Sequence, residues 1–168
     1  MTAGFLERLP ADTGTRARVL VLGLGNLLLE DDGVGLRLLE AVAAEPLGEN
    51  VEFVDGGTQG LALLGYLGGR KLTVILDAVG LGEVPGTVHL LRGAEIEKLG
   101  AHRSTTAHEG NALELLAAAR LVGDEPEETV IVGIEPEHVR TGVGLSDSVS
   151  AGVPEAAALA VQVIQSRT

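Results

Sequence analysis

Hydrophobic positions in this chain fall into two kinds of segment, short unbroken apolar runs and longer stretches with helical spacing, and the two alternate after a polar start. Val19-Leu20-Val21-Leu22-Gly23 is continuous and apolar, as a strand buried on both faces should be. Between Gly33 and Glu45, Val34, Leu38, Leu39, Ala41 and Val42 recur at helical spacing, and Pro46 and Gly48 stop that helix. Val51-Glu52-Phe53-Val54 predicts a second strand. Thr58 then caps a predicted helix over 61–67, which Gly68-Gly69 ends. Leu72 to Leu76 is a third apolar strand, closed by Asp77.

This β-α-β rhythm predicts parallel strands joined by right-handed crossovers. The next extended segment, Thr87 to Leu91, follows only a short loop containing Gly80, Gly82, Pro85 and Gly86. That loop is too short for a helical crossover, so an antiparallel edge strand is expected. Glu109 to Leu121 has helical spacing, and Thr129 to Ile134 reads as a fifth strand. Ser146 to Gln165 reads as a closing helix with Ser146 as its cap, its start delayed or its axis kinked by Gly152 and Pro154. The expected architecture is α/β, a three-layer α/β/α domain with a mixed, mostly parallel five-stranded sheet over residues 18–168. Residues 1–17 are expected to form a polar, mobile leader.

Composition narrows the class. With 168 residues and 45% of them hydrophobic, the chain can bury one sizeable core, and at 2% aromatic that core must be aliphatic. A formal charge of -12 opposes binding to phosphate backbones, which excludes nucleic acid as a partner. The lack of cysteine removes disulfides, thiolate metal sites and cysteine nucleophiles. The first eighteen residues hold no apolar run resembling a signal-peptide core, and no apolar run is long enough to cross a bilayer as a helix. A soluble cytoplasmic protein without membrane insertion is the expectation.

In an open parallel sheet, ligands gather beyond the carboxyl ends of the strands. Those ends carry Gly23-Leu24-Gly25-Asn26 leading to Asp31-Asp32, then Asp55-Gly56-Gly57-Thr58, and Asp77. A dinucleotide fingerprint needs a third glycine where this chain has Leu28, so no organic cofactor is expected. Asp32 near a helix start, and Asp55 before two glycines, each have a bland explanation as a cap or turn residue. Asp77 ends a very apolar strand with no helix start after it, where a buried carboxylate without a partner would be costly.

Of the four histidines, His89, His102 and His138 read as ordinary. His108 lies in Thr105-Thr106-Ala107-His108-Glu109, a loop running into a helix, which suits an imidazole fixed at a sheet rim. Two carboxylates and one imidazole make a credible site for a divalent transition metal with positions open to substrate or water. Neither H-E-x-x-H nor G-x-S-x-G occurs to specify the chemistry further.

Gly23-Leu24-Gly25-Asn26-Leu27-Leu28-Leu29-Glu30-Asp31-Asp32-Gly33-Val34-Gly35, Asp55-Gly56-Gly57-Thr58-Gln59-Gly60, Asp77-Ala78 and Ala107-His108-Glu109, in that order, resemble the hydrogenase maturation endopeptidases. The resemblance runs from about Arg18 to the final helix. It implies a usually monomeric endopeptidase that removes a short C-terminal peptide from the large-subunit precursor of a nickel-iron hydrogenase once nickel has been inserted.

By that resemblance the metal-contacting and catalytic positions are Asp32, Asp77 and His108, with Asp32 standing where some members have glutamate. The nickel arrives with the substrate. Asp31 and Asp55 are expected to support these ligands by hydrogen bonding. An alternative that uses the same residues is a non-catalytic metal-sensing chaperone of the large subunit.

Overall fold

A computed structural model describes residues 16–101 and 109–168 and, of residues 100, 101 and 109–111, the backbone alone. Strands β1 (Val19–Leu24), β2 (Val51–Gly57), β3 (Leu72–Ala78), β4 (Val88–Arg92) and β5 (Glu128–Ile134) form one sheet in the order β2-β1-β3-β5-β4. β1, β2, β3 and β5 run parallel, and β4 pairs antiparallel with β5 at the edge. This is the mixed, mostly parallel sheet that the hydrophobic pattern predicts.

Helices α1 (Val34–Ala43) and α4 (Asp147–Gln165) pack together on one face of the sheet. Their buried side chains meet Val19, Val21, Val74, Leu76, Val130 and Val132 in one aliphatic core. The opposite face carries Leu20, Leu22, Ile75 and Ile131. There α3 (Glu109–Val122) and a 3-10 turn over Gly60–Tyr66 cover it with Leu115, Ala119, Leu63 and Leu67. Consecutive residues of β1 and β3 thus serve different cores, and each fully buried Leu or Val contributes roughly 1.5–3 kcal/mol. Arg70, buried among these residues, donates to Glu52, to the Tyr66 carbonyl and to the Ala17 carbonyl. Arg16 donates to the carbonyls of Gly65 and Gly68 and so lays the chain just ahead of β1 against the domain. Residues 1–15 of the expected leader lie outside the described residues.

Three expectations are corrected. Residues 60–66 form a 3-10 turn, not an α-helix, in a segment that carries Gly60 at φ 56° and a second glycine at 65. An additional helix, α2 (Ala94–Ala101), follows β4. Nor does Pro154 delay α4. The helix begins at Asp147 with the Ser146 hydroxyl accepting from the Val149 amide at 3.4 Å. The carbonyl that Pro154 leaves without its helical donor is on Ser150, an exposed residue open to water. Among the described residues no helix is long and apolar enough to cross a membrane.

Candidate functional site

The sheet order fixes where a crevice can form. β1 leads through α1 to β2 on one side of it, whereas β3 lies on its other side and leads away toward β5 and β4. The carboxyl ends of β1 and β3 are therefore the point at which the strand order reverses. Asp32 follows the first of these strands and Asp77 is the penultimate residue of the second.

The path from β1 to Asp32 is built on glycine and on one asparagine. Gly25 has φ 137°, and a Cβ there would lie 2.0 Å from the Asp32 carbonyl oxygen. Only glycine permits that fold-back. Asn26 accepts from the Leu28 amide at 2.9 Å through its side chain, and its own amide donates to Asp32 Oδ2 at 2.8 Å. The chain then forms a 3-10 turn over Glu30–Gly33. Glu30 adopts φ 47°, the one non-glycine residue with positive φ among those described. Such backbone strain persists where surrounding contacts hold it. Here the Glu30 amide donates to the Gly142 carbonyl at 3.1 Å and its carboxylate meets Arg140 at 3.2 Å.

Asp32 is buried, and its carboxylate does not cap α1. The N-cap position is Gly33, which makes no side-chain cap bond. The bond that Asp32 is seen to accept comes instead from the Asn26 amide. Asp77 is also buried, but its Oδ1 accepts from the adjoining Ala78 amide at 2.8 Å. The expectation that no local amide would serve Asp77 is corrected accordingly. Asp77 points to the α3 face of the sheet, where Leu99, Ala112, Leu113 and Ile131 join it around a small hollow. That brings the first turns of α3 over Asp77. His108 lies outside the described residues, one position ahead of α3.

The two supporting carboxylates occupy different settings. Asp55 is exposed on β2, paired with Gly23 of β1, whose other neighbour is Leu76 of β3. Two strand spacings, about 10 Å, separate its backbone from β3. Asp31 is fully buried and faces away from the crevice into the segment 137–146. Its carboxylate accepts from the Glu137 amide at 2.9 Å, the His138 amide at 2.9 Å, the Ser146 amide at 2.7 Å and the Ser146 hydroxyl at 2.9 Å. Burial alone would raise its pKa, but the amides of His138, Ser146 and Glu137 and the Ser146 hydroxyl outweigh that and hold it below the usual carboxylate range. Asp31 thus staples the Asp32 turn to the N-cap of α4.

A fourth buried carboxylate is not among the residues singled out from the sequence. Glu135, directly after β5, accepts from the Leu81 amide at 2.9 Å, the Gly82 amide at 3.0 Å and His89 Nε2 at 2.8 Å. His89 is buried with it and is a core-satisfied ring, one of the ordinary settings expected of it. The available signal was the one used for Asp77, a charge ending an apolar strand. His138 is half-exposed and serves Asp31 through its backbone, and His102 is outside the described residues.

Two buried carboxylates beside a strand reversal offer oxygen donors suited to a divalent cation, and His108, the residue expected to complete the set, lies outside the described residues. The hydrogenase maturation protease family model matches residues 36–163. The chain is 37% identical over 141 residues to the hydrogenase 2 maturation protease of Escherichia coli (strain K12), covering 83% of this chain and 85% of that protein. It is 35% identical over 151 residues to the hydrogenase expression/formation protein HupD of Rhizobium leguminosarum bv. viciae, covering 89% and 75%. Among solved structures, the hydrogenase maturating endopeptidase HybD from E. coli superposes with a TM-score of 0.81 at 34% identity, covering 89% of this chain and 93% of that one. The [NiFe] hydrogenase maturation protease HybD from Thermococcus kodakarensis gives 0.70 at 30%, covering 88% and 99%.

Proposed function

This chain belongs to the hydrogenase maturation protease family and is a hydrolase, an endopeptidase; from that premise we propose that it removes the C-terminal peptide of the nickel-loaded large-subunit precursor of a nickel-iron hydrogenase. Asp32, Asp77 and His108 contact the nickel, which arrives as part of the substrate. The observation that supports this most is the contact between α1 and β3. A Cβ on Gly35 would lie 3.0 Å from the Asp77 Cα, so the turn carrying Asp32 is pressed onto the strand end carrying Asp77.

Three ligands without a thiolate make a weak, exchangeable site, suited to reading a metal held mainly by another protein. Docking of the precursor's nickel against these residues fixes the nearby peptide bond, and that positioning accounts for a large part of the acceleration. The metal polarises the scissile carbonyl or lowers the pKa of an attacking water. Asp31 contributes from behind by keeping the Asp32 turn in place, and Asp55 lies on the outer approach along β2.

The decisive experiment incubates the protein with nickel-loaded and with nickel-free precursor and measures the mass of the large subunit. Loss of the C-terminal peptide from the loaded sample alone is expected. A stable complex without mass change would replace the protease reading with that of a metal-sensing chaperone.

A further inference from the structure

Exposed apolar side chains are unevenly placed on this molecule. Of the nine large hydrophobic residues exposed among the described residues, seven lie in segments that follow the carboxyl ends of strands, and only Leu121 and Val122 lie at the other pole. Near Asp32 stand Leu27, Leu28 (64% exposed) and Val143 (81%), brought together because the Gly142 amide donates to the Leu28 carbonyl at 2.9 Å. Beyond Asp77 stand Leu81 and Val84 (74%), in the loop from β3 to β4. The first turn of α4 supports both groups, because Ser146, held by Asp31, lies 3.2 Å from the Ser148 hydroxyl and the Ser148 carbonyl lies against Gly86.

Both groups are rigidly mounted. The first is held by the four hydrogen bonds to Asp31. The second is held by Glu135, whose carboxylate takes the Leu81 and Gly82 amides while its backbone bonds Gly86 and Thr87. Gly86 and Gly152 let that loop lie directly on α4, since a Cβ at Gly86 would be 2.4 Å from the Ser148 carbonyl oxygen and one at Gly152 2.8 Å from the Gly86 carbonyl oxygen. Two buried carboxylates therefore fix two loops whose tips are apolar and open to water. Exposed apolar side chains held in a fixed arrangement are the mark of a recognition surface.

We infer that these loops form a preformed docking collar for the body of the precursor protein, binding an apolar patch of its surface edged by Lys or Arg. The inference rests on the proposed function for the partner's identity. A folded surface is inferred because the exposed apolar side chains stand on segments that follow three different strands, β1, β3 and β5, and not along a single groove. The basic edge follows from charge. Glu83 beside Val84, Glu137 and Asp147 are exposed on the rim, Arg140 is engaged by Glu30, and the chain carries a formal charge of -12. A partner edged with like charge would be repelled.

The test compares Leu28→Asp, Val143→Asp and Val84→Asp with Leu121→Asp, which changes a residue 88% exposed at the opposite pole. Each collar variant is expected to raise KM for nickel-loaded precursor by about tenfold or more, with kcat within about twofold and an unchanged melting temperature. Leu121→Asp should behave as the unmodified protein. In a binding assay with the uncleaved precursor, affinity should fall with rising salt, and Glu83→Lys should reduce both the affinity and the salt dependence. Equal KM for collar and control variants overturns the inference, as does affinity indifferent to salt. If the unmodified protein cleaves nothing, the proposed function fails, and the collar is then judged on binding alone. Binding lost in the collar variants sustains it, and no binding by the unmodified protein ends it.

Discussion

Gly35 touches Asp77 through backbone alone. A Cβ at position 35 would lie 2.1 Å from the Leu24 carbonyl oxygen, 2.3 Å from that of Leu76 and 3.0 Å from the Asp77 Cα, so α1 rests on the ends of β1 and β3 with no room for a methyl group. Gly35→Ala is expected to lift the first turn of α1, and with it Asp32, away from Asp77. Because the obstacles are backbone atoms that cannot rotate aside, the cost should be about 1–3 kcal/mol of stability. Processing should fall further than stability. Calorimetry beside a precursor-cleavage assay checks this, and a variant that melts lower but cleaves at the original rate would show that the spacing of the two carboxylates is immaterial.

Asp77→Asn and His108→Ala test the proposed nickel-reading site. Asparagine keeps an acceptor for the Ala78 amide but removes the charge, so the fold should stand while the metal contact weakens. A fall in processing of about a hundredfold or more is expected for each. His138→Ala, at a half-exposed ring whose only service to Asp31 is through its backbone, should process normally. Mass spectrometry of the large subunit at fixed time points reads all three, and normal cleavage by either of the first two removes the assignment.

The parts of this protein legible from its sequence are those decided by local pattern. β1, β3 and β5 are apolar on both faces because helices cover both sides, so they stand out as unbroken runs. Ser146 is recognisable as a cap from its place ahead of an apolar helix. By contrast α2 has only Ile96 and Leu99 as large apolar residues within Ala94–Ala101, too weak a stripe to announce a helix. Asp32 and Asp77 are legible as acids at strand ends. The work of Asp31 is not, because its partners lie 106 to 115 positions later and only the tertiary fold brings them to it. The pairing of Glu135 with His89 is hidden for the same reason, the two being 46 positions apart and joined across β4 and β5.

Arg70 and Glu52 offer a test of what holds the sheet's outer edge. The guanidinium is buried, its Nε–H donates to the Tyr66 carbonyl at 2.9 Å and another nitrogen to the Ala17 carbonyl at 2.7 Å, while Glu52 accepts from it at 2.5 Å. Removing Glu52 strands a buried cation, whereas Glu52, 34% exposed, still meets water when Arg70 is lost. Arg70→Met leaves those acceptors without a donor, and Glu52→Gln leaves a buried cation with a neutral neighbour. Each single change should cost about 2–4 kcal/mol, and the double variant should lose less than the sum. Urea denaturation of the four proteins reads the coupling, and strict additivity would show the pair to be energetically idle.

Asp31 makes the fold itself sensitive to acid. Its pKa in the folded protein lies below the usual value, so the stability it contributes is fully present above the unfolded pKa of about 4 and is lost as pH falls through the lower folded value. Asp31→Asn cannot ionise, and its amide nitrogen would face one of the backbone N–H donors that now meet an oxygen. At neutral pH the variant should be less stable by about 1–3 kcal/mol. Other carboxylates titrate in the same range in both proteins, so the informative quantity is the difference between them. That difference should be constant from neutrality down to about pH 5 and shrink below about pH 4. Denaturation midpoints of the two proteins across this range provide the measurement. A gap that stays constant into acid would mean that the negative charge on Asp31 does not hold Ser146, and that the link between the Asp32 turn and α4 depends on shape alone.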